Sequence, residues 1–262
     1  MLRREWAVSD DHGSTGNLLN KVALVTGAAG GIGACIAQAF AKEGAAVILA
    51  DIRATEANAA AMKLREQGSN TTSREIDISN PDSVERAVNS AIASNGRIDI
   101  LVNCAAIDAP RGLAWEESEQ HWRQIIDVNL NGSWWCTRAV IPHMIEQRSG
   151  RIIFISSTAA RRGVPGLSVA YNASKSALLG LTVGLAKQLE QYGVLVNAIT
   201  PGATGNTGEP MTPEEREKDL MTYPLGFGGP EPVAHACLYL AGRSGEWISG
   251  TVLNVSGGRW HG

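Results

Sequence analysis

Thr26-Gly27-Ala28-Ala29-Gly30-Gly31-Ile32-Gly33 is the stretch whose surroundings decide the fold. Before it, Val22-Ala23-Leu24-Val25 is an uncharged apolar run of strand length. After it, Ile32, Ile36 and Phe40 recur at helical spacing until Gly44 supplies a stop. A strand, a tight turn and a helix in that order leave the helix N-terminus beside the carboxyl end of the strand. Its free N–H groups and positive dipole end suit a pyrophosphate, which glycines allow close to the backbone. A glycine-rich turn alone is weak evidence for such a site, and the strand–turn–helix context strengthens it.

The same alternation continues outward. Ala46–Ala50 reads as a second strand, with further strands near 73–78, 98–102, 151–155, 194–199 and 251–255. Helical patterns cover about 55–67, 81–95, 118–147, 168–191 and 232–240; Asn80 and Pro81 look like an N-cap and first helical residue. Apolar strands each followed by a helix predict an α/β chain: a single-domain, doubly wound Rossmann fold with about seven parallel strands and helices on both faces. Residues 1–19 read as a polar N-terminal arm and 20–262 as one catalytic domain. The Gly-, Pro-, Thr- and Glu-rich region about 202–228 reads as a lid, with a solvated helix around Glu214–Lys218.

Of the 262 residues 44% are hydrophobic, enough for a sizeable core, and the net charge of -3 argues against nucleic acid or an anionic membrane as the main partner. Cys35, Cys104, Cys136 and Cys237 form no CxxC pair, and the five histidines show no metal-ligand spacing, so no metal is expected. Reduced cysteines suggest a cytoplasmic protein. Arg3-Arg4 is followed by polar residues rather than an apolar run, which argues against an export signal, and no transmembrane stretch is present in the sequence given.

Asp51 ends the second strand, near the offset of ~20 residues beyond the glycine motif where an acid binds adenosine ribose hydroxyls. Such a carboxylate repels the 2′-phosphate of NADP, so NAD is the expected cofactor, although nearby Arg53 could accept that phosphate. Tyr171-Asn172-Ala173-Ser174-Lys175 places a phenol and an ammonium on one helix face. A phenol titrates near ~10, and an adjacent ammonium is expected to lower that value. At this spacing the pair is also a common helix surface pair. Ser156 and Ser157 end the fifth strand, where ligands gather in open α/β sheets; a serine there can equally start a turn.

With these residues in view, the chain from Lys21 to Gly258 resembles the short-chain dehydrogenase/reductase family. The 26–33 segment matches its TGxxxGxG pattern and Tyr171 with Lys175 its YxxxK; Asn103-Cys104-Ala105-Ala106 stands at its NNAG, Asn129 at its active-site asparagine, and Pro201-Gly202 at its PG step. The resemblance implies Tyr171 as general acid/base, Lys175 as its partner and ribose ligand, Ser157 as the polarising hydroxyl and Asn129 as holder of a relay water. It implies Gly27, Gly31, Ile32 and Gly33 at the pyrophosphate, Asp77 and Ile78 beside the adenine, Asn103 and Ala105 supporting the cofactor loop, and Pro201, Gly202 and Thr204 near the nicotinamide. Cys104 and Ala106 depart from the usual Asn and Gly. The Ser157–Tyr171 gap is one residue longer than the family often shows.

Asp108, Arg111, Arg161 and Arg162 are candidate pocket-edge or substrate residues, and the arginines read equally well as solvated loop. They motivate a sugar or polyol as the alcohol. A 3-oxoacyl or other ketone reductase and a non-catalytic NAD(H)-sensing protein are the alternatives. Trp134-Trp135 reads as core or subunit packing. The resemblance implies a homotetramer, and the tail Arg259-Trp260-His261 is placed near a neighbouring subunit.

Overall fold

Seven strands form one parallel sheet: β1 (Val22–Thr26), β2 (Ala46–Asp51), β3 (Thr71–Glu75), β4 (Ile100–Asn103), β5 (Gly150–Ile155), β6 (Val194–Pro201) and β7 (Val252–Val255), in spatial order β3-β2-β1-β4-β5-β6-β7. The computed structural model describes residues 17–108, 112–164, 166–204 and 212–261. The strand order reverses between β1 and β4, and there the carboxyl ends diverge into a crevice.

Strand periodicity assigns the two faces. Ala23, Val25, Val47 and Leu49 pack with Ile36 and Phe40 of α1 (Gly31–Lys42), Leu64 of α2 (Ala54–Glu66), and Val233 and Leu240 of α9 (Glu231–Ala241). The alternate residues Leu24, Ile48, Leu101 and Phe154 face Val84 and Val88 of α3 (Pro81–Asn95), Val140 and Met144 of α5 (Ser133–Gln147), and Leu178 and Leu185 of α7 (Val169–Leu189). Both faces of the sheet are therefore covered, which is why its strands carry so few charges. Among the described residues the other α-helices are α4 (Glu119–Ile125), the short α6 (Ala159–Arg162) and α8 (Pro213–Leu220). Among the described residues no helix is long and apolar enough to cross a membrane.

Several boundaries differ from expectation. Leu18 is 1% exposed within the α1-side core, and its N–H bonds Glu43 O, so residues 17–19 belong to the domain and not to an arm. Residues 1–16 lie outside the described residues. β3 ends at Glu75 because its ladder with β2 ends at Asp51; Ile76 and Ile78 stay buried beyond the ladder. The predicted helix over 118–147 is broken by a π-helical segment, Ile126–Gly132, between α4 and α5. The helix expected around Glu214–Lys218 is α8, and Lys218 pairs with Glu214 on it at 2.8 Å; residues 205–211 of the expected lid lie outside the described residues. Trp134 and Trp135 are half-buried against the α5-side core, and the Arg138 guanidinium lies 4.7 Å from the Trp135 ring centroid.

Candidate active site

A cleft of about 1040 Å³ runs across the strand ends at the β1/β4 crevice. One end is built by the glycine turn. Gly27 (φ +69°) and Gly31 (φ +55°) adopt left-handed backbone, and a Cβ on Gly27 would stand 2.8 Å from the Ala105 backbone. A Cβ on Gly33 would fall 2.2 Å from Gly27 O, so only glycine lets this turn fold against α1. The first turn of α1 has neither a side-chain cap nor an acidic residue, and Gly30, Gly31, Ile32 and Gly33 line the cleft. These are the features a pyrophosphate needs: bare N–H groups, a positive helix end and no Cβ in the way.

Asp51 closes this end. It is 5% exposed; Oδ2 accepts from Ala29 N at 3.0 Å, and Oδ1 accepts from Arg53 N at 3.0 Å and Arg53 Nε at 3.3 Å. Arg53 is thus engaged by Asp51 while half of it stays in solvent. Asp77 and Ile78 line the adjacent wall; Asp77 Oδ1 accepts from Ser79 N at 3.0 Å and Ser79 Oγ at 2.6 Å. Across the cleft, Thr26 Oγ1 accepts from both Cys104 N and Ala105 N at 3.1 Å. Because backbone groups hold this turn, the Cys104 and Ala106 replacements leave it intact. Asn103 is buried behind it and donates from Nδ2 to Thr137 Oγ1 at 3.0 Å.

At the other end Ser157, Tyr171 and Lys175 meet. Ser156 and Ser157 both line the cleft, but Ser156 Oγ is spent on Lys175 O at 2.7 Å, whereas Ser157 Oγ, which accepts from Ala159 N at 3.1 Å, is the serine oxygen that acts on the Tyr171 phenol, in the direction of a lower pKa. The structure therefore separates two serines that sequence alone treats alike. Lys175 is 3% exposed; its Nζ donates to Ile155 O at 3.0 Å and lies 5.7 Å from the Tyr171 ring centroid. Burial lowers its pKa to about 8, with Cys104 and Asp108 opposing. The Tyr171 phenol is pushed up to about 12 by burial and then by the Asp108 charge, against the Ser157 hydrogen bond. The expected lowering of the phenol by Lys175 is thus not produced by the protein's own groups. Desolvation outweighs a partner that is itself desolvated and points at a carbonyl.

Asn129 sits in the π-helical segment, fully buried. Its Oδ1 accepts from Ile107 N at 2.8 Å and its Nδ2 donates to Ile107 O at 3.0 Å. The side chain therefore fastens the loop after β4 and does not itself line the cleft. Its own carbonyl accepts from Ser133 Oγ at 2.9 Å. A π-bulge at this point turns the carboxamide toward the loop, a common use of such bulges near functional sites.

Ala105, Asp108, Pro201, Gly202 and Thr204 line the cleft as expected. Arg161 and Arg162 do not: they stand exposed on α6, because that helix turns outward after Ala159, which is 5% exposed. Arg111 lies outside the described residues. Sequence reading missed Glu117, whose carboxylate accepts from Ser168 Oγ, from Val169 N at 3.2 Å and from Ala170 N at 3.3 Å. Ser168 Oγ in turn accepts from Tyr171 N at 3.1 Å, so Glu117 anchors the N-terminus that carries Tyr171. Ser168 was readable as an N-cap; its carboxylate partner, far back in the chain, was not.

Residues 21–219 match the short chain dehydrogenase family. A hydroxy(phenyl)methylsuccinyl-CoA dehydrogenase subunit of Thauera aromatica is 38% identical over 245 residues, covering 92% of this chain and 96% of that protein. A 3-oxoacyl-(acyl-carrier-protein) reductase of Thermotoga maritima is 36% identical, covering 92% and 98%. Among solved structures, a dehydrogenase/reductase from Sinorhizobium meliloti superposes with TM-score 0.86 at 32% identity, covering 93% and 96%.

Proposed function

This chain belongs to the short-chain dehydrogenase/reductase family, an oxidoreductase family that works with a nicotinamide cofactor, and we propose that it interconverts a secondary alcohol and a ketone with NAD, using Tyr171 as general acid/base. The observation that carries this reading is the joining of two ends in one cleft: Asp51 and the glycine turn at one, Ser157, Tyr171 and Lys175 at the other.

When bound, the nicotinamide supplies the hydride acceptor for oxidation and the donor for reduction. The residues that would hold it are Gly27, Gly31, Ile32 and Gly33 at the phosphates, Asp51 at the adenosine ribose, and Lys175 and Thr204 toward the nicotinamide. Ser157 donates to the substrate oxygen and keeps it beside the phenol. In reduction Tyr171 gives its proton to the oxygen as it becomes an alkoxide; in oxidation it takes the hydroxyl proton. A phenol held at about 12 stays protonated at neutral pH, the state reduction needs. Oxidation needs the phenolate, so its rate should rise with pH.

Asp51 favours NAD: its carboxylate accepts from ribose hydroxyls, repels a 2′-phosphate and engages Arg53. The substrate reading shifts from the sequence expectation. The sugar-or-polyol idea drew on Asp108, Arg111, Arg161 and Arg162; Asp108 lines the cleft, Arg161 and Arg162 are exposed and off it, and Arg111 lies outside the described residues. The relatives named as a 3-oxoacyl-(acyl-carrier-protein) reductase and a hydroxy(phenyl)methylsuccinyl-CoA dehydrogenase subunit instead favour a 3-oxoacyl or 3-hydroxyacyl thioester as the second reading. Assembly as a homotetramer of 27.7 kDa chains belongs to the same proposal and is read by light scattering.

The experiment follows nicotinamide absorbance in both directions, with NAD(H) and NADP(H) in parallel, across sugars, polyols, secondary alcohols and 3-oxoacyl thioesters. Turnover that prefers NAD(H) is expected. Turnover with NADPH alone overturns the role given to Asp51. NADH binding with no turnover on any substrate favours a non-catalytic sensor.

A further inference from the structure

Arg259, in the C-terminal tail, turns back onto its own chain. Its Nη2 lies 2.5 Å from Asp219 Oδ1 in α8, with the two side chains only 14% and 17% exposed. Its Nη1 donates to Tyr223 Oη, and the guanidinium carbon lies 4.7 Å from the Tyr223 ring centroid. Tyr223 is 5% exposed, and the same hydroxyl oxygen accepts from Ala203 N at 2.7 Å. Ala203 stands between Gly202 and Thr204, which both line the cleft.

The surrounding packing leaves this chain of contacts little slack. Gly202 N donates to Val255 O and Leu225 N to Gly257 O, both at 3.0 Å. A Cβ on Gly202 would stand 3.0 Å from the Tyr223 ring and 3.2 Å from Ser256 Cα. Phe227 meets Tyr223 edge-on, with ring centroids 5.9 Å apart. Arg259 commits its two terminal nitrogens to two different partners while its ring-facing side stacks on one of them. A planar fork offers two separated nitrogens and a flat face at once, which the single nitrogen of a lysine ammonium matches only in part.

We propose that Arg259 is a positioning residue for the cofactor site: through Tyr223 it fixes the Ala203 amide and thereby holds the segment from Pro201 to Thr204 against the cleft. The proposal rests on reading that cleft as the nicotinamide dinucleotide site. A segment already ordered adds no ordering cost when the cofactor binds. Loss of the brace transfers that cost to the binding step, so affinity falls while the reacting residues Ser157, Tyr171 and Lys175 stay in place.

The test titrates NADH, with NADPH in parallel, into the full-length parent and into Arg259→Gln, Arg259→Lys, Tyr223→Phe and the Arg259→Gln/Tyr223→Phe double variant, following nicotinamide fluorescence. Hydrogen exchange is measured on the peptide spanning 200–204 without added nucleotide. Arg259→Gln and Tyr223→Phe should each weaken NADH binding about 5- to 10-fold. The double variant should be no worse than the weaker single, because the two act in series. Arg259→Lys should recover only part of the loss. Exchange at 200–204 should rise in every weakened variant. If Arg259→Gln does not fold, Asp219→Asn cuts the same ion pair from the other side. NADH affinities within twofold of the parent, or unchanged exchange at 200–204, overturn the proposal, as does a lowered Tm with unchanged affinity. A parent that binds neither NADH nor NADPH overturns the cofactor reading instead, and exchange at 200–204 alone then decides whether Arg259 holds this segment.

Discussion

Replacing Lys175 by methionine should make the protein more stable and less active, and the stability gain should depend on pH. Lys175 is 3% exposed, and burial lowers its pKa from 10.5 to about 8. Below the folded-state value the ammonium is charged in both folded and unfolded chains, so the full cost of burying that charge is present. As pH rises from about 8 toward 10.5 the folded chain carries a neutral amine while the unfolded chain still binds the proton, and the cost fades. At 1.36 kcal/mol per tenfold change in proton affinity, the cost is about 3 kcal/mol at pH 7 and about 1.4 kcal/mol at pH 9.5. Against it, methionine gives up the Nζ hydrogen bond to Ile155 O, about 1 kcal/mol. The net gain is then about 2 kcal/mol at pH 7, or roughly 4–8 °C in Tm for a chain of this size, and it nearly vanishes at pH 9.5. Differential scanning calorimetry from pH 6.5 to 9.5 without nucleotide measures it. A variant no more stable than the parent at pH 7, or a gain that stays constant across the range, refutes the reasoning.

Other outcomes follow from the same geometry. Tyr171→Phe should keep NADH affinity within about twofold and lose about 10²–10⁴-fold in turnover; fluorescence titration and steady-state rates separate the two, and normal turnover removes Tyr171 from the proposed role. Gly33→Ala should weaken both folding and NADH binding, because its Cβ would meet Gly27 O at 2.2 Å, whereas Gly30→Ala, whose Cβ has only Arg53 Nη2 at 3.8 Å nearby, should leave Tm unchanged. Equal Tm losses in the two would contradict this account of the turn. Asp51→Ala should release Arg53 and move the kcat/KM ratio about 10- to 100-fold toward NADP; an unmoved ratio places the 2′ discrimination elsewhere.

The sequence by itself determined what short-range spacing can carry. The apolar run at 22–25, the glycine turn and the helical period after it specified a strand–turn–helix unit, and repetition of that pattern specified the parallel sheet. Asp51 at a strand end and Tyr171 four residues from Lys175 were legible for the same reason: each relation spans one element or one crossover. Tertiary structure decided the rest. Whether Ser156 or Ser157 faces the phenol depends on which hydroxyl Lys175 O captures. The π-helical break at Asn129 is stabilised by Ile107, which belongs to a separate loop. Glu117 caps Tyr171's helix from 51 residues before Ser168, and Arg259 meets Tyr223 across 36. Burial raised the Tyr171 phenol where a lowering by Lys175 was expected. Desolvation is a property of the packed environment, and no pattern of neighbours along the chain encodes how much water two side chains have lost.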